Sequence, residues 1–427
     1  MADEPTTQAV EKRIREGIEK NRKDDFVLTV VDAEGKPVKN VGVKALMAEH
    51  AFGFGTCVRA DRLARVDEKD TQTYRKWIPK LFNRVTIGNR MKWRAQTKPD
   101  RRACADAAVK WFEQQDLDLH GHTMIWASLK WGAMAKDVHQ KIEDNTPDAA
   151  AFARKESLAH IRDIGKRYSD KVIGWDVVNE PFSERAIQEI VNPKAPRGQE
   201  PILVEWFRAA HQADPDAVLY INDYHILVGD DKEHKDSYEG TIKYLLDQKA
   251  PLGGIGMQGH YYKDELKRTP AEMLKTLDRF GKFKLPIHIS EFDTFGKGWG
   301  ETQAEREKNQ AEFLRDILRV FFSHPQAEAF TMWGFWDGQH WFDEAPLFRK
   351  DWTPKPGLKV YRDLVFNEWW TETDGKTDGK GKFGFRGFYG TYKVQVTVDG
   401  KTTTREVKLV KGEPTARIMV SKASDDE

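Results

Sequence analysis

The chain has 427 residues, room for two or three ordinary domains or one large barrel with an appendage. Its 69 Lys and Arg against 68 Asp and Glu leave a formal charge of +1, which offers no electrostatic footprint for nucleic acid, and no run approaches the roughly 18 apolar residues of a membrane span. Two cysteines, Cys57 and Cys104, cannot build a disulfide framework and match no metal spacing, so both read as small hydrophobes.

Residues 1–25 are charged and read as a helix or a frayed arm; the start, Met-Ala-Asp-Glu-Pro, lacks the basic and apolar regions of a secretory signal. Apolar and polar residues then alternate from 26 to 46 on both sides of a Gly-Lys-Pro turn, as in a hairpin. From residue 51 the pattern changes. Eight short apolar runs, at 51–58, 84–89, 117–126, 172–180, 217–224, 254–260, 284–293 and 327–337, alternate with Ala-, Glu-, Lys- and Arg-rich segments such as 148–168 and 302–322. Near-continuous apolar runs separated by helices indicate parallel strands buried on both faces, and eight such units predict a (β/α)8 barrel over residues 51–370. Alternation returns between 379 and 420 around an Asp399-Gly400 turn, the strongest short hairpin signal. Neither end has enough strands for a core of its own. The expected solution is one small β-sandwich built from residues 26–50 and 371–427, which resembles a transthyretin-like or carboxypeptidase-regulatory-like module, with a disordered tail at 424–427. Phe383, Phe385, Phe388 and Tyr389 read as sandwich core rather than a sugar platform.

In a parallel barrel the C-terminal strand ends carry function. Read in order they hold Asn89, Trp126, Asn179-Glu180, Asp223-Tyr224, His260, Glu291 with Asp293, and Trp333 to Asp337. Glu180 and Glu291 each follow an apolar strand, where a charge is costly to bury without a purpose. Two carboxylates across a cleft are the minimum apparatus for glycoside hydrolysis: one protonates the leaving oxygen, and the other attacks the anomeric carbon or activates water. An asparagine beside the acid suits a sugar 2-hydroxyl, and the 14 Trp supply apolar faces for sugar rings.

The segments GWDVVNEP and HISEFD resemble the acid/base and nucleophile motifs of glycoside hydrolase family 10, the endo-1,4-β-xylanases. FGFGTCV, NRMKW, GHTMIW, LYINDYH, GIGMQGHY and TMWGFWDGQHW resemble that family's other strand-end motifs, in order, from about Phe52 to Tyr361. The resemblance implies a retaining mechanism with Glu180 as general acid/base and Glu291 as nucleophile. It implies that Asn179 binds the 2-hydroxyl and that His260 and Asp293 orient or tune Glu291. Asn89, Lys92, His122, Trp126, Gln258 and Trp333 would hold glycone sugars, with Trp341 closing over them and Tyr224 on the aglycone side. His260 is also a substrate contact in this reading. The partner would be xylan or a related β-1,4-linked polysaccharide, met by a secreted or periplasmic monomer without metal or cofactor, and without nucleic-acid or membrane partners.

Five positions depart from the family pattern: Gly88 stands where a glutamate is usual, His120 replaces an arginine, Ala127 and Leu129 replace the histidine and glutamine of a His-Ser-Gln run, and His225 ends the INDY motif. The glycone pocket is therefore expected to have lost polar groups at 88 and 129. Two rivals remain open. One is a carbohydrate-binding barrel, or a scaffold rebuilt for another reaction. The other is a metal-dependent hydrolase using His120 and His122 with His260 and an aspartate such as Asp337.

Overall fold

The computed structural model describes residues 6–263 and 267–420, so the tail expected to be disordered lies outside the described residues. Among these residues the strands are, in chain order, β1 (Lys23–Val31), β2 (Gly42–His50), β3 (Gly53–Val58), β4 (Arg84–Ile87), β5 (Asp118–Ile125), β6 (Gly174–Asn179), β7 (Val218–Asp223), β8 (Gly254–Met257), β9 (His260–Tyr261), β10 (Ile287–Thr294), β11 (Ala327–Met332), β12 (Glu372–Lys376), β13 (Lys382–Phe388), β14 (Gly390–Val398), β15 (Lys401–Leu409) and β16 (Thr415–Met419). They fall into two compact units, one of residues 54–321 and 326–359 and the other of residues 1–53, 322–325 and 360–427.

The larger unit is a (β/α)8 barrel. Strands β3 to β8, β10 and β11 pair as neighbours, and β11 joins both β10 and β3, which closes the ring. Every residue of β4 and β6 is buried, as the unbroken apolar runs require when helices cover the outer face. The helix Ala149–Tyr168 shows how: Ala153, Leu158, Ile161, Ile164 and Tyr168 recur at three- to five-residue intervals and are all buried. Inside the barrel His120, Tyr220 and His288 pack ring on ring, with centroids 4.7–6.1 Å apart. Arg84 reaches Glu328 at 3.2 Å, and Tyr220 donates to the same carboxylate. The ladder ends at Ile87 and Met332, sooner than the apolar runs do, so Asn89 and Trp333 stand on loops just beyond their strands.

In the smaller unit the helix Thr7–Arg22, capped by the Thr6 hydroxyl, buries Val10, Ile14 and Ile18 at every fourth position. Two sheets follow, one ordered β13-β1-β16 and the other β12-β2-β14-β15. The hairpin expected over 26–46 does not form. Its turn does, with Asp32 accepting from the backbone of Glu34 and Lys36, but β1 and β2 enter different sheets. Alternation fixes which face of a strand is buried and leaves its neighbour open. Here the buried Phe26, Leu28 and Val30 of one sheet and Val43, Ala45 and Met47 of the other supply a core between sheets rather than along one. Phe26 meets Phe385 at 5.6 Å and Tyr392 at 6.2 Å; of the β13 aromatics Phe383 and Phe388 are buried in the core, and Phe385 is half-buried. The Asp399-Gly400 turn joins β14 to β15 with φ of +49° and +76°, the type I′ signature. Among the described residues no helix is long and apolar enough to cross a membrane.

Candidate active site

The two carboxylates come from β6 and β10, the fourth and seventh strands of the ring. Glu180 is the first residue after β6, and its φ of +56° is a left-handed conformation uncommon for a side chain of this size. Its backbone N–H, bonded to the Asn222 carbonyl at 2.8 Å, holds that turn. Glu291 lies within β10, where the register with β11 slips between Ile289 and Phe292; such irregularities re-aim a side chain.

Asn222 of β7 ties the pair together. Its amide nitrogen donates to Glu291 Oε1 and to Asn179 Oδ1, both at 2.9 Å, and its oxygen accepts from Ser290 at 2.7 Å. The fit requires Gly256 on the next strand, where a Cβ would lie 2.4 Å from Asn222 Oδ1. Removing that amide should strip a hydrogen bond from the buried Glu291 carboxylate. Asn222→Ala is therefore expected to lower kcat about ten- to a hundredfold, with little change in the affinity of a substrate analogue. Parallel loss of affinity and kcat would contradict a positioning role.

Glu291 is buried, and that burial alone would raise its pKa. The imidazoles of His122, at 3.9 Å, and His260, at 3.3 Å, together with Lys92, outweigh it and hold the carboxyl below its ordinary range. His260 is in turn fixed by Asp293 at 2.8 Å. Burial opposes its charge, but Asp293 and Glu291 raise its pKa to about 10, so it stands as an imidazolium beside Glu291. Asp293 also accepts from Trp341 Nε1 at 2.7 Å and lies 3.3 Å from His340, and it is drawn down to about 2.

Glu180 is tuned the opposite way. Burial pushes it up to about 7, the negative charges of Glu291 and Asp223 adding to the effect, against hydrogen bonds donated by Gln258 at 2.9 Å and Trp126 at 3.0 Å. Asn179 also donates to it at 3.2 Å. One carboxyl is thus held as an acid near neutrality while the other stays ionised, the division of labour that acid-base catalysis needs. The raised value has a stability consequence. Between the ordinary 4.5 and about 7 the native state keeps a proton that the unfolded chain has lost, so the contribution is complete below pH 4.5 and fades as pH rises through 7. Relative to Glu180→Gln, the parent should lose on the order of 3 kcal/mol between pH 4 and pH 8. Denaturant titrations with the same pH dependence in both proteins would contradict it.

A cleft of about 620 Å³ opens over the pair. It is lined by Asn89, Lys92, His122, Trp126, Asn179, Glu180, Tyr224, Gln258, His260, Glu291, Trp333 and Trp341, twelve of the thirteen residues read from the sequence. Asp293 is the thirteenth and sits buried behind His260. Lys92 places its ammonium 4.3 Å from the Trp126 ring centroid, and Trp126 is nearly parallel to Trp131 at 6.4 Å.

Several residues at the site carry no signal of their own in the sequence. Asn222 is an amide inside an apolar run, and Arg59, Lys130 and Trp131 line the cleft from loops, where no periodicity operates. The altered glycone positions also behave differently from expectation. His120 is not in the cleft but inside the barrel, 3.0 Å from Asp176, whose other oxygen meets His122 at 2.8 Å. Gly121 allows this His-Gly-His run, because a Cβ there would collide with Trp175 at 2.2 Å. Leu129 is absent from the cleft wall, which Lys130 and Trp131 supply instead; the Ser128 hydroxyl accepts from the Trp131 N–H at 3.0 Å and sets that turn.

The family model described as glycosyl hydrolase family 10 matches residues 42–364. Among curated proteins, the chain is 31% identical over 395 residues to anti-sigma-I factor RsgI6 of Acetivibrio thermocellus, covering 90% of this chain and 46% of that protein. It is 27% identical to endo-1,4-beta-xylanase 1 of Arabidopsis thaliana over 94% of this chain and 38% of that protein, and 28% identical to endo-1,4-beta-xylanase B of Paenibacillus barcinonensis over 68% and 88%. The chain thus spans about half or less of the length of the first two. Among solved structures, xylanase 10B from Thermotoga petrophila in complex with xylobiose superposes with a TM-score of 0.63 at 24% identity, over 74% of this chain and 95% of that one, a likeness of fold.

Proposed function

Because the chain belongs to glycosyl hydrolase family 10, we propose that it is a retaining endo-acting glycosidase that cleaves internal β-1,4-xylosidic bonds of xylan. The observation that carries this reading is the split pair itself: Glu180 protonated up to about pH 7, and Glu291 ionised between two imidazoles, facing one cleft.

Each residue then has a step. The Glu180 carboxyl gives its proton to the glycosidic oxygen as the C1–O bond breaks, and a Glu291 oxygen bonds to C1 from the opposite face. In the second half Glu180, now a carboxylate, takes a proton from water as the water oxygen attacks C1 and releases Glu291. Asn179, held by hydrogen bonds from Asn222 and Gln258, binds the 2-hydroxyl in this reading. His260 and Lys92 keep Glu291 anionic between turnovers. Trp126, Trp333 and Trp341 offer ring faces to the sugars. A polymer cut internally is met outside the cell, so we place the enzyme there. The test is hydrolysis of xylan, arabinoxylan, mixed-linkage β-glucan and an aryl xylobioside with product lengths recorded. Internal cleavage of the xylans to short oligomers is expected, and release of single sugars from chain ends would contradict endo action.

Likeness to a protein named as an anti-sigma factor favours one second reading, in which the barrel serves as the carbohydrate-recognition part of a regulatory protein. Binding of xylan oligomers without turnover would support it over the first.

The altered glycone end gives a further expectation. At Gly88 an added Cβ meets Cys57 Sγ at 3.2 Å and Arg59 Cδ at 3.7 Å, so a glutamate fits with a small shift and brings a carboxylate beside the Arg59 side chain. Gly88→Glu should lower KM on short xylo-oligosaccharides about tenfold, as one hydrogen bond from a charged group would. An unchanged KM would mean that the distal glycone site does not lack that group.

A further inference from the structure

The loop after β7 brings together two imidazoles and a carboxylate that the proposed hydrolysis does not use. One ring nitrogen from each of His225 and His234 and a carboxylate oxygen of Asp231 all lie within 4.8 Å of one another. His234 is fixed in place. It sits in the first turn of the helix Lys232–Asp247, 1% exposed, stacked on Phe182 at 4.0 Å and met edge-on by Tyr224 at 4.6 Å. Its Nε2 lies 3.1 Å from Asp223 Oδ1, and neither ring nitrogen makes a hydrogen bond. A buried imidazole nitrogen left bare is destabilising unless something satisfies it. Asp231 is anchored too, because its Oδ1 accepts from the His234 backbone N–H at 2.9 Å as the helix N-cap.

We infer that His225, Asp231 and His234 form a binding site for a zinc-class divalent ion, with water as the fourth ligand. Two imidazoles and one carboxylate suit zinc and are unsuited to magnesium or calcium, which take oxygen ligands. Asp223, 3.1 Å from His234 Nε2, stands where a carboxylate in such sites orients the imidazole and leaves Nδ1 for the metal. Tetrahedral zinc with bonds of about 2.0–2.1 Å needs ligand atoms about 3.3 Å apart. Half-buried His225 would close that gap by rotating, with Asp231 offering Oδ2 while Oδ1 keeps the cap, and the exposure of Asp231 provides the entry path. His225 also lines the cleft, so the ion would pin one side of its rim. The nine-residue separation of the histidines matches no zinc spacing pattern, which is why the sequence gives no sign of it.

The test is titration of the chelator-stripped full chain with zinc sulfate against a chromophoric competitor, which reads binding without reference to hydrolysis. One equivalent should bind and raise the melting temperature. Asp231→Asn, which keeps a capping side chain, and His225→Ala should each weaken that equivalent at least about tenfold while melting near the parent in the metal-free state. Glu291→Gln should bind zinc as the parent does. Absence of a stoichiometric equivalent, unchanged affinity in both loop variants, equal affinity for calcium, or loss of zinc in Glu291→Gln would each overturn the site.

Discussion

Glu291→Ala should lose at least about 10⁴-fold in hydrolysis of xylan, because the covalent route through C1 disappears with the carboxylate. Added azide should restore turnover of an aryl xylobioside by occupying the vacated space and attacking C1 from that side, and the product should be the α-glycosyl azide. Glu180→Ala fails differently. Xylan hydrolysis should fall about 10²- to 10⁴-fold, since its leaving oxygen needs a proton. Cleavage of an aryl glycoside with a good leaving group needs little protonation, so its first step should be nearly spared, and azide should now give the β-product. The pH profiles separate the roles further. In the parent the alkaline limb of kcat/KM should fall near pH 7, where Glu180 deprotonates, and the acid limb should lie below the ordinary glutamate range, where Glu291 gains its proton. Glu180→Ala should lose the alkaline limb on the aryl substrate. Equal losses on both substrates, or azide products of the same configuration from both variants, would contradict the assignment.

The second large effect concerns the smaller unit. Deleting residues 379–427 removes both neighbours of β1, which are β13 and β16, and takes β14 from the side of β2. The core loses Phe383, Phe388, Tyr392, Val394, Val396, Leu409 and Ile418, all buried. At about 1.5–3 kcal/mol for each large side chain, the loss reaches the entire 5–15 kcal/mol stability of an ordinary domain. The remaining strands would also expose unpaired edges and the apolar faces of Phe26, Leu28 and Val43. The truncated protein should aggregate or lose a thermal transition. One as soluble as the parent, with the same melting profile, would show that these strands do not share a core.

The barrel was legible because a strand buried on both faces has little choice of composition: runs such as those at 172–180 and 284–293 announce a strand, and the glutamate at or near each end stands out as a charge that burial would penalise. The smaller unit was less legible. Alternation at 26–46 gave the correct buried faces and the wrong partner, since period two carries no information about which strand lies alongside. The β12 segment, Glu-Thr-Asp-Gly-Lys, has no apolar alternation at all and is a strand only because β2 pairs with it. At the site, residues on strand ends could be read from chain position, whereas Arg59, Lys130 and Trp131 depend on loop paths. His120 and Leu129 show the limit of motif comparison: the residue at a motif position is visible, but the direction of its side chain is not. Asn222 shows the same for a polar residue whose three hydrogen-bond partners come from two other strands.

The central claim is that Glu291 attacks the anomeric carbon while Glu180 supplies the proton. A 2-deoxy-2-fluoro-xylobioside with a good leaving group tests it most directly, because fluorine slows both steps through their oxocarbenium-like transition states while the leaving group speeds only the first, so the glycosyl-enzyme accumulates. Mass spectrometry of the digested protein should find one fluoro-xylobiosyl group per chain, on the peptide that contains Glu291, and none in Glu291→Ala. A label on Glu180 or elsewhere, or steady release of sugar with the α-configuration and no trapped ester, would contradict it.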